Sequence, residues 1–172
     1  MGITGMNHAV LYVRDARRTV RFYEDLLDFS LLRADPEGKW AFLNAPGSNN
    51  DHDIAFFSIG DKAGPSTAGQ TVGLYHLAWE VASVDDLVAL RQRLVEAGAL
   101  VGEANHETHL SLYAKDPDGL EFELTWFVPA DQVPAGADLT ASHPLDLDTE
   151  LARLGAGAPA DGGGGPSGRS GD

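Results

Sequence analysis

The feature that most constrains this chain is that it says the same thing twice. "NHAVLYV" at 7–13 and "YHLAWEV" at 75–81 lie sixty-eight residues apart, and the same offset pairs His8 with His76, Val13 with Val81 and Leu26 with Leu94. Each stretch opens an identical order of elements. In the first, a strand over 6–13 is followed by Asp15 at a helix N-cap, then a helix with Val20, Tyr23 and Leu27 on one stripe. Strand patterns "FSLLRAD", "KWAFLNA" and "HDIAFFSI" (52–59) come next, the first two separated by the turn signal "PEGK". In the second, the strand over 73–81 leads to Ser83 as N-cap, with Asp86 three residues on as a capping-box variant. A stripe of Leu87, Leu90 and Leu94 follows, Gly98 ends the helix, and the strands "ALVGEAN", "THLSLYA" and "LEFELTW" close the unit. The expected fold is therefore α+β: two βαβββ modules whose curved mixed sheets surround one shared cavity. The modules span 1–60 and 73–128 and are joined by a linker loop at 61–72. Beyond them lies a C-terminal extension, 129–172, with a short helix in "HPLDLDTELARL" and a Gly/Pro-rich stretch from about 156 whose composition cannot bury a core.

Charge and cysteine content narrow the function. A net charge of −14 opposes binding to nucleic-acid phosphate and to anionic membrane surfaces. With no cysteine, disulfides, thiolate metal sites and cysteine nucleophiles are excluded. No run reaches transmembrane length and the N-terminus lacks a signal-peptide pattern, so the expected location is the cytoplasm.

Strand parity sorts the remaining polar residues. His8 shares a face with Val10 and Tyr12, and His76 with Ala78 and Glu80. In "DPDGLEFELTW", Phe122, Leu124 and Trp126 take one face, and Glu121, Glu123 and Thr125 the other. A solvent-facing side explains two carboxylates there, and so does a metal ligand inside a cavity. A lone histidine on an apolar strand is ordinarily a packed core residue. Two at matching repeat positions, with a glutamate on the closing strand, make the two-His, one-carboxylate set that binds a metal on one side and leaves the other positions open.

These motifs resemble those of the vicinal oxygen chelate superfamily, which includes glyoxalases, extradiol dioxygenases and drug-resistance proteins. The resemblance covers 6–127 and rests on "NHAVLYV", "HLAWEV" and "DPDGLEFEL", with the glutamate four residues after the Gly of DPDG. It implies metal ligands His8, His76 and Glu123, and leaves Glu121 as a neighbour of the site or a residue at its mouth. "HDIAFF" and "NHETHLSLY" are similar to single-unit catechol 2,3-dioxygenase-like proteins. There the first motif carries a proton-handling His, here His52, which parity groups with Ile54 and Phe56. The second carries a His and a Tyr that contact substrate oxygens, here His106 and Tyr113, with His109 a rival for His106 because it shares the face of Tyr113.

The resemblance implies extradiol opening of a small aromatic diol by O2, with Fe(II) as cofactor and Mn(II) as the alternative, in a homodimer or larger homo-oligomer. A glyoxalase-type isomerase or lyase on Ni or Zn would need a fourth protein ligand from the region of His52 and Asp53. A non-catalytic aromatic-ligand or antibiotic-binding protein would use the same cavity without the triad. Module pairing within the chain or between chains is left open. Deleting 156–172 is expected to leave melting temperature and activity unchanged, and a loss of either contradicts the reading of that stretch.

Overall fold

The computed structural model describes residues 2–3, 5–64, 66 and 69–155. Helix α1 (Ala16–Leu27) begins where expected: the Asp15 side chain accepts the Arg17 N–H, and Ala16, Thr19, Val20, Tyr23 and Leu27 form its buried stripe. It ends at Asp28 in the left-handed region, a conformation a short polar side chain tolerates. Strands β1 (Ala9–Val13), β2 (Ser30–Ala34), β3 (Trp40–Asn44) and β4 (Ile54–Ser58) make a sheet of order β1-β4-β3-β2. The second unit repeats it with β5 (His76–Glu80), α2 (Val84–Glu96), β6 (Leu100–Asn105), β7 (His109–Lys115) and β8 (Glu121–Phe127), in the order β5-β8-β7-β6. Ser83 caps α2 through the Asp86 N–H, but the Asp86 carboxylate accepts from the Ser83 hydroxyl at 2.6 Å, so it does not close a reciprocal capping box on the Ser83 backbone.

The repeat holds at the level of register. In each module the outer strand runs parallel to the last one: Val10 lies opposite Ala55, and Ala78 opposite Glu123. Those pairs are related by the same sixty-eight-residue offset, so Glu123 occupies the place that Ala55 fills in the first module.

The modules join through α1. Phe22 and Tyr23 each lie 6.0 Å from the Phe122 ring on β8, and Phe29 lies edge-on to Trp79 at 5.0 Å. Next to this seam, the DPDG turn reaches the first module. The Asp118 carboxylate, almost out of solvent, accepts the Arg14 backbone N–H at 2.7 Å and pairs with the Arg14 and Arg18 guanidinium groups. A buried carboxylate is tolerable with this many donors.

Part of the C-terminal extension belongs to the fold. A two-residue strand, β9 (His143–Pro144), pairs with β6 and covers that edge of the second sheet. The short helix forms as α3 (Leu147–Leu154), capped by Asp146, and Leu145, Leu147 and Leu154 pack against the core. The stretch from 156 lies outside the described residues. Among the described residues no helix is long and apolar enough to cross a membrane.

Asp116 gives the fold a pH dependence. Burial raises its carboxyl from 3.8 to about 6, against the opposing hydrogen bonds from the Leu120 and Asp118 N–H groups. Folded Asp116 therefore keeps its proton to higher pH than the unfolded chain does. Stability from this group is present below about pH 4 and is lost as pH rises to about 6. Asp116→Asn keeps the acceptor oxygen and removes the titration. Denaturant unfolding at pH 4, 5, 6 and 7 should show wild type losing up to about 3 kcal/mol relative to the variant. Parallel pH profiles would contradict this.

Candidate metal centre

The parallel β5–β8 pair does the essential positioning. It aligns His76 with Glu121 and Ala78 with Glu123, which places His76 and Glu123 diagonally on neighbouring strands. His76 Nε2 lies 3.1 Å from Glu123 Oε2. Two donors held at about 2.0–2.2 Å by one metal, at right angles, would stand about 3 Å apart, so this pair fits two adjacent coordination positions. His76 Nδ1 is buried without a hydrogen-bond partner. The Glu123 carboxylate is buried in the sheet, and its other oxygen accepts from the Ser111 hydroxyl at 2.5 Å. Ser111 was not singled out in the sequence, although parity on β7 puts it on the face of His109 and Tyr113, opposite Thr125.

Strand β7 lays the remaining groups beside that carboxylate. Tyr113 stands opposite Glu123, with its hydroxyl 3.4 Å from Oε1 and 3.0 Å from His106 Nε2. His106 and His109 stack with ring centroids 4.5 Å apart. His106, His109 and Glu123 each offer a ligand atom within 4.8 Å of the others, the one such group of three among the described residues. Both His106 nitrogens already have partners, since Nδ1 meets the Ala141 carbonyl at 2.7 Å. Metal binding there would break one of these bonds, whereas His76 and Glu123 already face each other.

Burial raises the Tyr113 phenol to about 12, reinforced by the Glu123 charge, so it is a hydrogen-bond donor at neutral pH. Burial, and then the neighbouring His106, lowers His109 below the ordinary histidine value, with Glu123 opposing. His109 is therefore neutral at physiological pH.

His8 and His52 lie together, but not in this group. His8 precedes β1, is exposed, and packs against His52 with ring centroids 4.2 Å apart and the planes tilted by 36°. Asn7 Oδ1 accepts from His8 Nδ1–H at 2.7 Å, and Asp51 Oδ2 from His52 Nδ1–H at 2.9 Å. Each ring is thus oriented through Nδ1, with no hydrogen bond at Nε2 among the described residues, the arrangement typical of a histidine ligand held by an outer partner.

His52 does not sit with Ile54 and Phe56, as parity indicated. Those two are fully buried, whereas the His52 ring packs on Phe42 at 5.0 Å. The alternation stops at Ile54 because the preceding loop is irregular and closed around Asp53, whose buried carboxylate accepts from the Ala45 N–H, Ser48 and Asn50. Around His8 and His52 lies an aromatic face of Tyr12, Trp40, Phe42 and Phe57, with Val10 and Tyr12 more than half exposed. A single chain thus holds these groups in two separate places, His76–Glu123 with its tyrosine and histidines in one and His8–His52 in the other. A cleft of about 540 Å³, lined by Leu27, Phe29, Trp79, Leu90 and Leu124, contains none of these residues and marks the seam between modules.

Known proteins share this architecture. The family profile "Glyoxalase/Bleomycin resistance protein/Dioxygenase superfamily" matches residues 5–124. An iron-dependent extradiol dioxygenase of Rhodococcus jostii is 33% identical over 139 residues, 72% of this chain and 43% of that protein. A catechol-2,3-dioxygenase of Bacillus subtilis is 27% identical, over 70% of the chain and 41% of that protein, so the chain spans about two-fifths of these two relatives. The glutathione transferase FosA of Serratia marcescens is 30% identical over 71% of the chain and 80% of its own length. Among solved structures, a glyoxylase/bleomycin resistance protein/dioxygenase domain from Frankia superposes with a TM-score of 0.64 at 25% identity, covering 74% of this chain and all of that one.

Proposed function

Because this chain belongs to the glyoxalase/bleomycin resistance protein/dioxygenase superfamily, we propose that it is a metal-dependent extradiol dioxygenase whose centre is completed between two copies of the chain. His76 and Glu123 come from one copy and His8 from the other. The observation that carries this reading is the pair of half-sites. His76 and Glu123 are poised at 3.1 Å with Tyr113 and His106 beside them, while His8 and His52 stand on a separate, exposed aromatic face.

A second copy is the occupant that fits this face. A two-fold dimer brings each half-site of one chain against the complementary half-site of the other and completes two centres at once. It also covers Val10 and Tyr12 and sets the two imidazoles against a face bearing Glu80, Glu121 and Glu123.

Fe(II) is the metal proposed, with Mn(II) as the alternative, because two neutral imidazoles and one carboxylate suit both. When bound, the metal would supply the place where both oxygens of a catechol meet O2. The chain's own residues would do the rest. Ser111 holds Glu123 in one rotamer, and Tyr113 hydrogen-bonds an oxygen of the substrate. His52, anchored by Asp51, takes or returns a proton through Nε2, and the ring of the diol rests against Tyr12, Phe42 and Phe57. His109, neutral and on the same strand as Tyr113, is the other candidate for moving a proton.

Two observations favour this reading over its rivals. The lyase reading wants a carboxylate as fourth ligand from the region of His52 and Asp53, but Asp53 is spent on its own loop, and the repeat counterpart of Glu123 is Ala55. An anionic substrate such as the phosphonic acid bound with Mn(II) in a Listeria fosfomycin-resistance protein of the same fold would meet the carboxylates of Glu80, Glu121 and Glu123, with Lys115 opposite Glu121.

The experiment is anaerobic loading with Fe(II), addition of substituted catechols, then admission of O2. A conjugated ring-opened product should form one-for-one with oxygen consumed. Glu123→Ala should lose most of its iron. His52→Phe should keep its iron and lose about 10²-fold or more in rate. Iron-loaded protein that binds catechols yet consumes no O2 would overturn the reaction.

A further inference from the structure

The family profile ends at 124, yet the chain beyond it reaches back to the centre of the site. Residues 138–144 form a strap across the β6–β7 turn. Its anchor is Glu107, held in the left-handed region at φ 63°, whose carboxylate accepts the Asp138 N–H at 2.8 Å through one oxygen and meets His143 Nε2 at 3.2 Å through the other. Asp138 in turn organises the segment. Its side chain accepts the Thr140 N–H and hydroxyl at 2.8 and 2.7 Å, and its carbonyl accepts the Ala141 N–H at 3.0 Å.

Downstream, His143 and Pro144 lie in register with Asn105 and Ala104 of β6. Arg153 ties α3 to the Gln132 carbonyl at 2.9 Å. Fixed on both sides, the Ala141 carbonyl stands 2.7 Å from His106 Nδ1.

We infer that this strap is a positioning device that fixes the protonation pattern of His106, so that His106 exchanges its proton through Nε2 alone, toward the Tyr113 hydroxyl. A carbonyl oxygen only accepts, so His106 Nδ1 must carry a hydrogen. In the neutral ring Nε2 is then the bare nitrogen, and it accepts the Tyr113 O–H at 3.0 Å, which is shorter than the 3.4 Å from that hydroxyl to Glu123. The phenol proton is thereby turned away from the carboxylate that the metal needs. The lone pairs of the phenol oxygen are left to receive a substrate hydroxyl. A proton arriving on Tyr113 passes to His106 Nε2, and no other nitrogen of that ring is open to it. Without the strap, either ring nitrogen of His106 is free to carry the hydrogen and the relay loses its direction. Ala141 acts through His106 and touches no substrate.

The catalytic part of this inference rests on the dioxygenase reading; the tautomer part does not. The test uses metal-free, ¹⁵N-histidine-labelled full-length chain, with His106 assigned by His106→Gln. It is compared with Asp138→Ala, Glu107→Ala and a chain ending at 137. In the full chain, the neutral ring of His106 should show a protonated Nδ1 and an unprotonated Nε2. In the strap variants the two nitrogens should shift toward a mixture of tautomers.

With iron and a catechol, kcat should fall by roughly 10-fold or more, within the range of a lost proton-transfer group, while KM and iron content change less than about 2-fold. The two point variants alter exposed or half-exposed side chains, so they report even if the truncated chain does not fold. Unchanged His106 nitrogen signals in folded strap variants would overturn the inference, and so would an unchanged kcat in an active enzyme. If the wild-type chain opens no catechol, the dioxygenase reading fails, and the nitrogen spectra still decide the strap.

Discussion

A buried carboxylate organises this protein. Glu123 sits in the middle of β8, between Phe122 and Leu124 of the core, and a charge there is sustainable only with partners. The chain assembles them from the two strands that flank β8: Ser111 from β7, and His76 from β5 through the parallel pairing. Ser111, at zero exposure, donates to that carboxylate and also lies 3.4 Å from the Thr125 hydroxyl. His76 faces the carboxylate while its far nitrogen goes without a partner. A core built only for stability would place an apolar residue here, as the first module does with Ala55.

The two modules share a scaffold and divide the chemistry. Equivalent register positions hold Ala55 and Glu123, and likewise Phe42 and Tyr113, each pair facing across the same antiparallel ladder. The second module thus carries the charged and hydroxyl-bearing groups. The first carries an aromatic wall and two imidazoles at its rim. That division leaves each half without what the other has, which is why joining two copies makes chemical sense. Within one chain, the modules spend their contact on the α1 seam and on the Asp118 clamp to Arg14 and Arg18.

Much of this was legible in the sequence because periodicity and caps are local. The two-module order, the Asp15 and Ser83 caps and the shared face of Glu121 and Glu123 follow from spacing alone. The family resemblance, through the DPDG motif, implied that His76 and Glu123 come together, and they stand 3.1 Å apart. Other parts depend on contacts that spacing does not encode. His52 left its expected face because Asp53 closes an irregular loop just before β4. Ser111 was within reach of parity but carries no motif. The Ala141 carbonyl is a backbone group thirty-five residues from His106, and no pattern of side chains announces it.

The central claim is that one metal centre is shared between two chains, and mixing two broken chains tests it most directly. His8→Ala and Glu123→Ala would be prepared separately, mixed under conditions that exchange subunits, and assayed for bound Fe(II). Each variant alone lacks a ligand in every centre. In a mixed dimer, the His8 of one chain meets the His76 and Glu123 of the other, and one centre of the two is whole. The account predicts that the mixture recovers about a quarter of the wild-type iron per chain, as random pairing into two-fold dimers requires. Iron content in the mixture no higher than the average of the separate variants would contradict it.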